Sequence, residues 1–117
     1  MTATIAVGPR PLFLAAGEGG VWALNQGDGT VTRIDPATNA VAATIDVGVP
    51  GTGGDIATGA GRVWVRAKPV LLSAIDPSTN VVVERFGPPA GSGAVRVAGR
   101  HVWVTAHDTN TVWVLKR

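Results

Sequence analysis

The chain has 117 residues, 45% hydrophobic and 15% charged, which suits one folded domain with a proper core and excludes a disordered chain. Its 16 Gly and 8 Pro exclude a helical protein, and the absence of Cys excludes disulfides and thiolate metal sites. The sequence pI near 9.9 reflects a net charge of only +2, carried by scattered Lys and Arg with no basic run, so nucleic acid is not expected as a partner.

The first element in chain order is the run Ala3-Thr4-Ile5-Ala6-Val7-Gly8, which returns as Ala43-Thr44-Ile45-Asp46-Val47-Gly48. Next comes an apolar run, Leu12 to Ala16, too short for a membrane span and with no basic segment before it to suggest a signal peptide; localisation stays open. That run enters the first of three strings that align without gaps: Leu14 to Leu24, Ile56 to Arg66 and Val95 to Thr105. Each holds a strand, a Gly turn and a second strand with a Trp (Trp22, Trp64, Trp103). A third strand follows at Val31–Ile34, Leu72–Ile75 and Val112–Leu115. Turns at Asp35–Asn39 and Asp76–Asn80 then lead to fourth strands at Val41–Ile45 and Val82–Phe86. Val, Ile, Thr and Trp fill the strand positions, Gly, Pro, Asn and Asp fill the links, and no stretch has helical apolar spacing.

Four antiparallel strands every ~40 residues is the period of a propeller blade. The stretch "VWALNQGDGTVTRIDPATNAVAATIDVG" resembles the YVTN-type β-propeller repeat, and the resemblance covers nearly the whole chain. It implies an all-β fold of four-stranded blades. Such blades occur in bacterial surface-layer and periplasmic proteins, and the related streptogramin lyases share the architecture. Family propellers usually close with about seven blades, whereas this chain holds about three. The expected division is a strand at 1–8, blade 1 at 9–48, blade 2 at 49–88 and blade 3 at 89–117 without its outer strand. The 1–8 strand would complete the last blade. It lies beside blade 1 and so cannot easily reach blade 3 of its own chain, but it can reach blade 3 of a second copy. The expected partner is therefore the chain itself, as a homodimer with a six-bladed ring. A nine-bladed homotrimer is the alternative. The open blade faces are expected around Trp22 and Trp103.

For chemistry the sequence offers little. Asp35 and Asp76 recur at one position but precede Pro and read as turn formers, with Asn39 and Asn80 in the left-handed conformation that ends the turn. The three aligned Trp are expected to pack between neighbouring blades. Trp113, in the place of Thr32 and Ser73, points away from the face of Val112 and Val114 and is expected to be partly exposed or to cover an inter-blade gap. His101 reads as exposed. The Gly clusters at 17–20, 51–55 and 91–93 lack dinucleotide and P-loop spacing and read as links. No metal or cofactor is expected, and no catalytic set is recognisable. The first expectation is a non-enzymatic self-assembling scaffold. The alternative is a ligand-binding or lyase-like propeller with a site at the channel mouth, drawn from Arg10, Asn25, Asp28, Arg66, Lys68, His107 and Asp108. In the resembling family the links that carry these residues line one face around the central channel.

Overall fold

The computed structural model describes residues 2–51, 53–89 and 92–117. Met1, Thr52, Ala90 and Gly91 lie outside it, and with them the first residue of the opening strand and parts of the Gly clusters at 51–55 and 91–93. The described chain forms three antiparallel sheets in sequence. Blade 1 has β1 (Pro11–Gly17), β2 (Gly20–Asn25), β3 (Thr30–Asp35) and β4 (Ala40–Asp46). Blade 2 has β5 (Asp55–Gly59), β6 (Arg62–Arg66), β7 (Leu72–Asp76) and β8 (Val81–Phe86). Among the described residues blade 3 has three strands, β9 (Val95–Ala98), β10 (His101–Ala106) and β11 (Thr111–Lys116). Each sheet is an up-and-down meander, and the first strands lie side by side, β1 with β5 and β5 with β9. None of residues 2–7 belongs to a strand.

Local chemistry explains the meander. The hairpin between first and second strands turns on Glu18 and Gly19 in blade 1 and on Ala60 and Gly61 in blade 2, all at positive φ. A Cβ on Gly17 would stand 2.5 Å from Thr58 Oγ1, and one on Gly59 would stand 2.7 Å from Val97 Cγ1, so glycine lets neighbouring blades approach there. The turn between third and fourth strands is built as the sequence predicts. Asp35 Oδ1 accepts from Ala37 N at 2.9 Å, and Asp76 Oδ1 accepts from Ser78 N at 2.9 Å and Ser78 Oγ at 2.6 Å. Asn39 and Asn80 close these turns at φ of 58° and 59°. The bonds from Ser78 hold the Asp76 carboxyl below its ordinary value.

Two cores lie between the blades. In the register of blade 1, Trp22 sits opposite Arg33, Leu24 opposite Val31, and Val31 opposite Ile45, so these side chains share one face. That face packs on Ile56, Val63, Val65 and Ile75 of blade 2. One blade further on, Trp64, Leu72 and Ala74 pack on Val95, Val102 and Val104 of blade 3. Trp22 and Trp64 therefore each point to the blade that follows them. The indole N–H of Trp22 donates to Gly17 O and that of Trp64 to Gly59 O, both at 2.9 Å, so burial leaves neither indole donor unmet.

Two expectations are corrected here. Trp103 is not buried with its counterparts: it is 47% exposed where they are 0%, because no described blade follows blade 3. The open face of blade 1 is not the one around Trp22, which blade 2 covers. It is the opposite face, where Leu12 and Leu14 stand exposed. Alternation marks two faces on a strand but does not say which of them meets the next blade.

Candidate functional site

The links between second and third strands gather with the links between blades along one edge. Val49 N donates to Lys68 O at 3.1 Å, Gly51 N to Gln26 O at 3.1 Å, and His107 N to Ser92 O at 3.2 Å. Six of the seven residues named from the sequence fall within or beside these three links, and Arg10 abuts the first, its carbonyl accepting from Gln26 N at 3.1 Å.

Their side chains divide by burial. Asn25 is buried, and its Nδ2 donates to Thr30 Oγ1 at 3.0 Å and Thr32 Oγ1 at 2.8 Å. Asp28 is exposed and its Oδ1 accepts from Thr30 N at 3.2 Å, an Asx-type bond inside its own turn, and from Thr30 Oγ1 at 2.6 Å. Arg66 is buried and donates through Nη1 to Leu71 O at 2.6 Å. Desolvation lowers its pKa, and the Asp108 carboxylate of the next blade offsets part of that. Arg10, Lys68, His107 and Asp108 are exposed. His107 and Asp108 begin a 3-10 turn, His107–Thr109, with Nδ1 3.9 Å from the Asp108 carboxylate. The structure thus brings Arg66 to Asp108 and His107, and Asn25 to Asp28 by way of Thr30. In both groups the buried member donates within its own blade, while Asn25 Oδ1 is buried with no partner among the described residues. Among the described residues no group of three His, Asp or Glu is placed to hold a metal.

The larger unsatisfied surfaces are the two outer blade faces. On blade 1, Leu12 and Leu14 are 66% and 69% exposed, beside an open cleft of about 370 Å³ lined by Arg10, Pro11, Leu12 and Gln26. On blade 3, Trp103, Val112 and Val114 share a face and stand open, and among the described residues Trp103 makes no indole bond of the kind made by Trp22 and Trp64. Trp113 points the other way, as expected. It is partly exposed and lines a cavity of about 200 Å³ with Leu71, Leu72 and Phe86 of blade 2 and Val104 and Leu115 of blade 3.

Polar devices stitch the closed junctions, and sequence reading missed them. Arg33 lies 4.6 Å over the Trp22 ring and donates to Asn80 Oδ1 at 2.7 Å and to Pro77 O in the turn of blade 2. Arg117 lies 5.4 Å from the Trp64 ring centroid and binds Glu84 through both Nη atoms. Asp55 is buried and accepts from Val95 N at 3.1 Å and from Arg96. Asp55 takes the place of Phe13 and Ala94, so the repeat itself carried no signal for it.

These blades are similar to those of solved propeller structures. The hydrazine synthase of Kuenenia stuttgartiensis matches over 98% of this chain and 35% of its own, at 16% identity and a TM-score of 0.72. BamB from Moraxella catarrhalis matches over 89% of this chain and 30% of its own, at 13% identity and a TM-score of 0.72. The glutaminyl cyclase of Myxococcus xanthus matches over 88% of this chain and 46% of its own, at 14% identity and a TM-score of 0.59. No family model matches the chain, and no curated protein matches it in sequence. The fold is that of a β-propeller, and the chain spans under half the length of each of these neighbours. At such identities the likeness shows the fold alone.

Proposed function

We propose that the chain is a non-enzymatic propeller scaffold of YVTN type, and that a second copy closes its ring by mating the Trp103 face of one copy with the Leu14 face of the other. The observation that carries this reading is the pair of exposed apolar faces. They are the forward and backward sides of the same repeat, and inside the chain these two kinds of face already pack on each other twice. Burying an exposed Leu or Val side chain is worth about 1.5–3 kcal/mol, and soluble chains rarely leave several of them contiguous and bare. Two copies give six blades, a common propeller size. A cyclic arrangement satisfies both faces of both copies at once.

The scaffold reading rests on what the polar residues do. Asp35 and Asp76 are spent on turns, Asn25 and Arg66 on their own links, and Asp55 on the seam between blades. The test is light scattering on the intact chain beside Leu14→Asp. The intact chain is expected at twice the 11.9 kDa chain mass, and the variant at that of one chain with its β circular dichroism retained. Three times the chain mass would replace the dimer by the nine-bladed trimer. An intact chain that is folded and stays at 11.9 kDa at every protein concentration would overturn the reading.

A further inference from the structure

We propose that residues 2–7 of one copy form the outer strand of blade 3 in a second copy, antiparallel to β11 and in a single register, with Ile5 opposite Val112, Thr4 opposite Trp113 and Ala3 opposite Val114. This deepens the reading above and rests on it.

Four observations converge. First, among the described residues the outer edge of β11 has no strand partner, whereas β3 and β7, its counterparts, each pair with a fourth strand. An uncovered edge presents a row of bare N–H and C=O groups, ready to accept another strand. Second, residues 3–8 repeat residues 43–48, the end of such a fourth strand and the link after it, at five of six positions. Third, the approach to blade 1 copies the approach to blade 2. Gly8 and Pro9 lie against Asn25 and Gly27, just as Gly48 and Val49 lie against Ala67 and Lys68. Val7 therefore stands to blade 1 as Val47, at the end of blade 1's outer strand, stands to blade 2. Residues 2–7 leave on the side where a preceding blade would end. Fourth, they lie outside every sheet, with Thr2, Ala3, Thr4 and Ala6 exposed.

The register comes from the chain's own precedents. Val31 pairs with Ile45 and Leu72 with Phe86; Thr32 pairs with Thr44 and Ser73 with Arg85; Arg33 pairs with Ala43 and Ala74 with Glu84. Val112, Trp113 and Val114 occupy those third-strand positions, and Ile5, Thr4 and Ala3 the fourth-strand ones. In this register Ile5 and Ala3 extend the face of Trp103, Val112 and Val114. That face lacks the side chains that Ile45 and Ala43 supply to the first junction. Small Thr4 and Ala6 fall on the other side, where Trp113 fills the place of Thr32 and Ser73, and they wall the 200 Å³ cavity between blades 2 and 3. A register slip of one residue would turn Ile5 away from the junction and is selected against.

The native chain has no cysteine, so introduced pairs report without background. Directly opposite Cβ atoms stand about 4.5–5.5 Å apart and diagonal ones about 7–8 Å, while a disulfide needs about 3.5–4.5 Å. The experiment makes two in-register pairs, Ile5→Cys with Val112→Cys and Ala3→Cys with Val114→Cys. It also makes two crossed pairs, Ile5→Cys with Val114→Cys and Ala3→Cys with Val112→Cys. Each is oxidised with glutathione disulfide and run on a denaturing, non-reducing gel. Both in-register pairs are expected to convert to a covalent species of two chains, with the crossed pairs at least ten-fold slower. Faster linkage of the crossed pairs overturns the register. A disulfide closed within one chain overturns the exchange of strands. No linkage in any pair, from a chain that light scattering shows to be a dimer, overturns the strand while leaving the ring. A wild-type chain that stays monomeric at every protein concentration overturns the ring reading itself.

Discussion

Trp64 and Trp103 occupy one repeat position and live in opposite surroundings. Trp64 is sealed between blades 2 and 3, its indole bonded to Gly59 O and its ring beside Arg117 and Phe86. Trp103 stands on an open face with Val112 and Val114. The difference is not in the strands that carry them, since both sit in the middle of a second strand flanked by Val. It lies in the presence or absence of a next blade. A blade is half of two interfaces rather than a unit complete in itself, so among the described residues blades 1 and 3 each leave one interface half exposed.

Four substitutions and one change of pH sharpen that contrast. Trp64→Ala should show the largest loss, roughly 3–5 kcal/mol in denaturant unfolding, because it empties a sealed junction. Trp103→Ala should leave the stability of the dilute single chain within about 1 kcal/mol, because its site there is already open. It should nevertheless abolish assembly in sedimentation experiments. Equal losses from the two would erase the contrast. Arg33→Ala removes a cation stacked on Trp22 and a charged hydrogen bond to the next blade, and should cost about 1–2 kcal/mol, read by the same unfolding. Asp35→Ala should cost about 1 kcal/mol through the lost turn bond to Ala37 N, with assembly unchanged by light scattering.

The smallest effect is in pH. Ser78 holds the folded Asp76 carboxyl below its ordinary value of 3.8, so the folded state favours the ionised form more than the unfolded one does. Its contribution is full at pH above the ordinary carboxylate range and fades as the pH falls through and below it. Unfolding midpoints of Asp76→Asn and the intact chain should therefore draw together on acidification. A gap that widens towards low pH would reverse the assigned cause.

The strands, the turns and their repeat were legible in the sequence because they rest on local chemistry. Asp before Pro and Asn at left-handed φ build the same turn wherever they occur, and Val-Trp-Val beside a Gly hairpin reads as one strand in three places. The direction in which each Trp points was not legible, because alternation is symmetric between the two faces. That is why the open face of blade 1 was expected around Trp22 and is found at Leu14. The seven candidate residues named from the sequence fall in or beside the links, since links follow strands. Their burial was hidden: Asn25 and Arg66 sit where strands run into links, and polar residues there read as exposed. What buries them is contact across turns and blades, Thr30 and Thr32 around Asn25 and the blade 3 links around Arg66. Asp55 and Arg117 join blades through positions the repeat does not share, so no internal comparison could single them out.

The central claim is that the face of Trp103 is a junction awaiting its other half. Solvent exchange of the four indole N–H groups, followed by nuclear magnetic resonance over a dilution series, tests it most directly. The account predicts that the Trp103 signal is protected like those of Trp22 and Trp64 at high protein concentration. It becomes exchangeable on dilution while theirs do not. A Trp103 indole that exchanges freely at every concentration, beside protected Trp22 and Trp64, would contradict it.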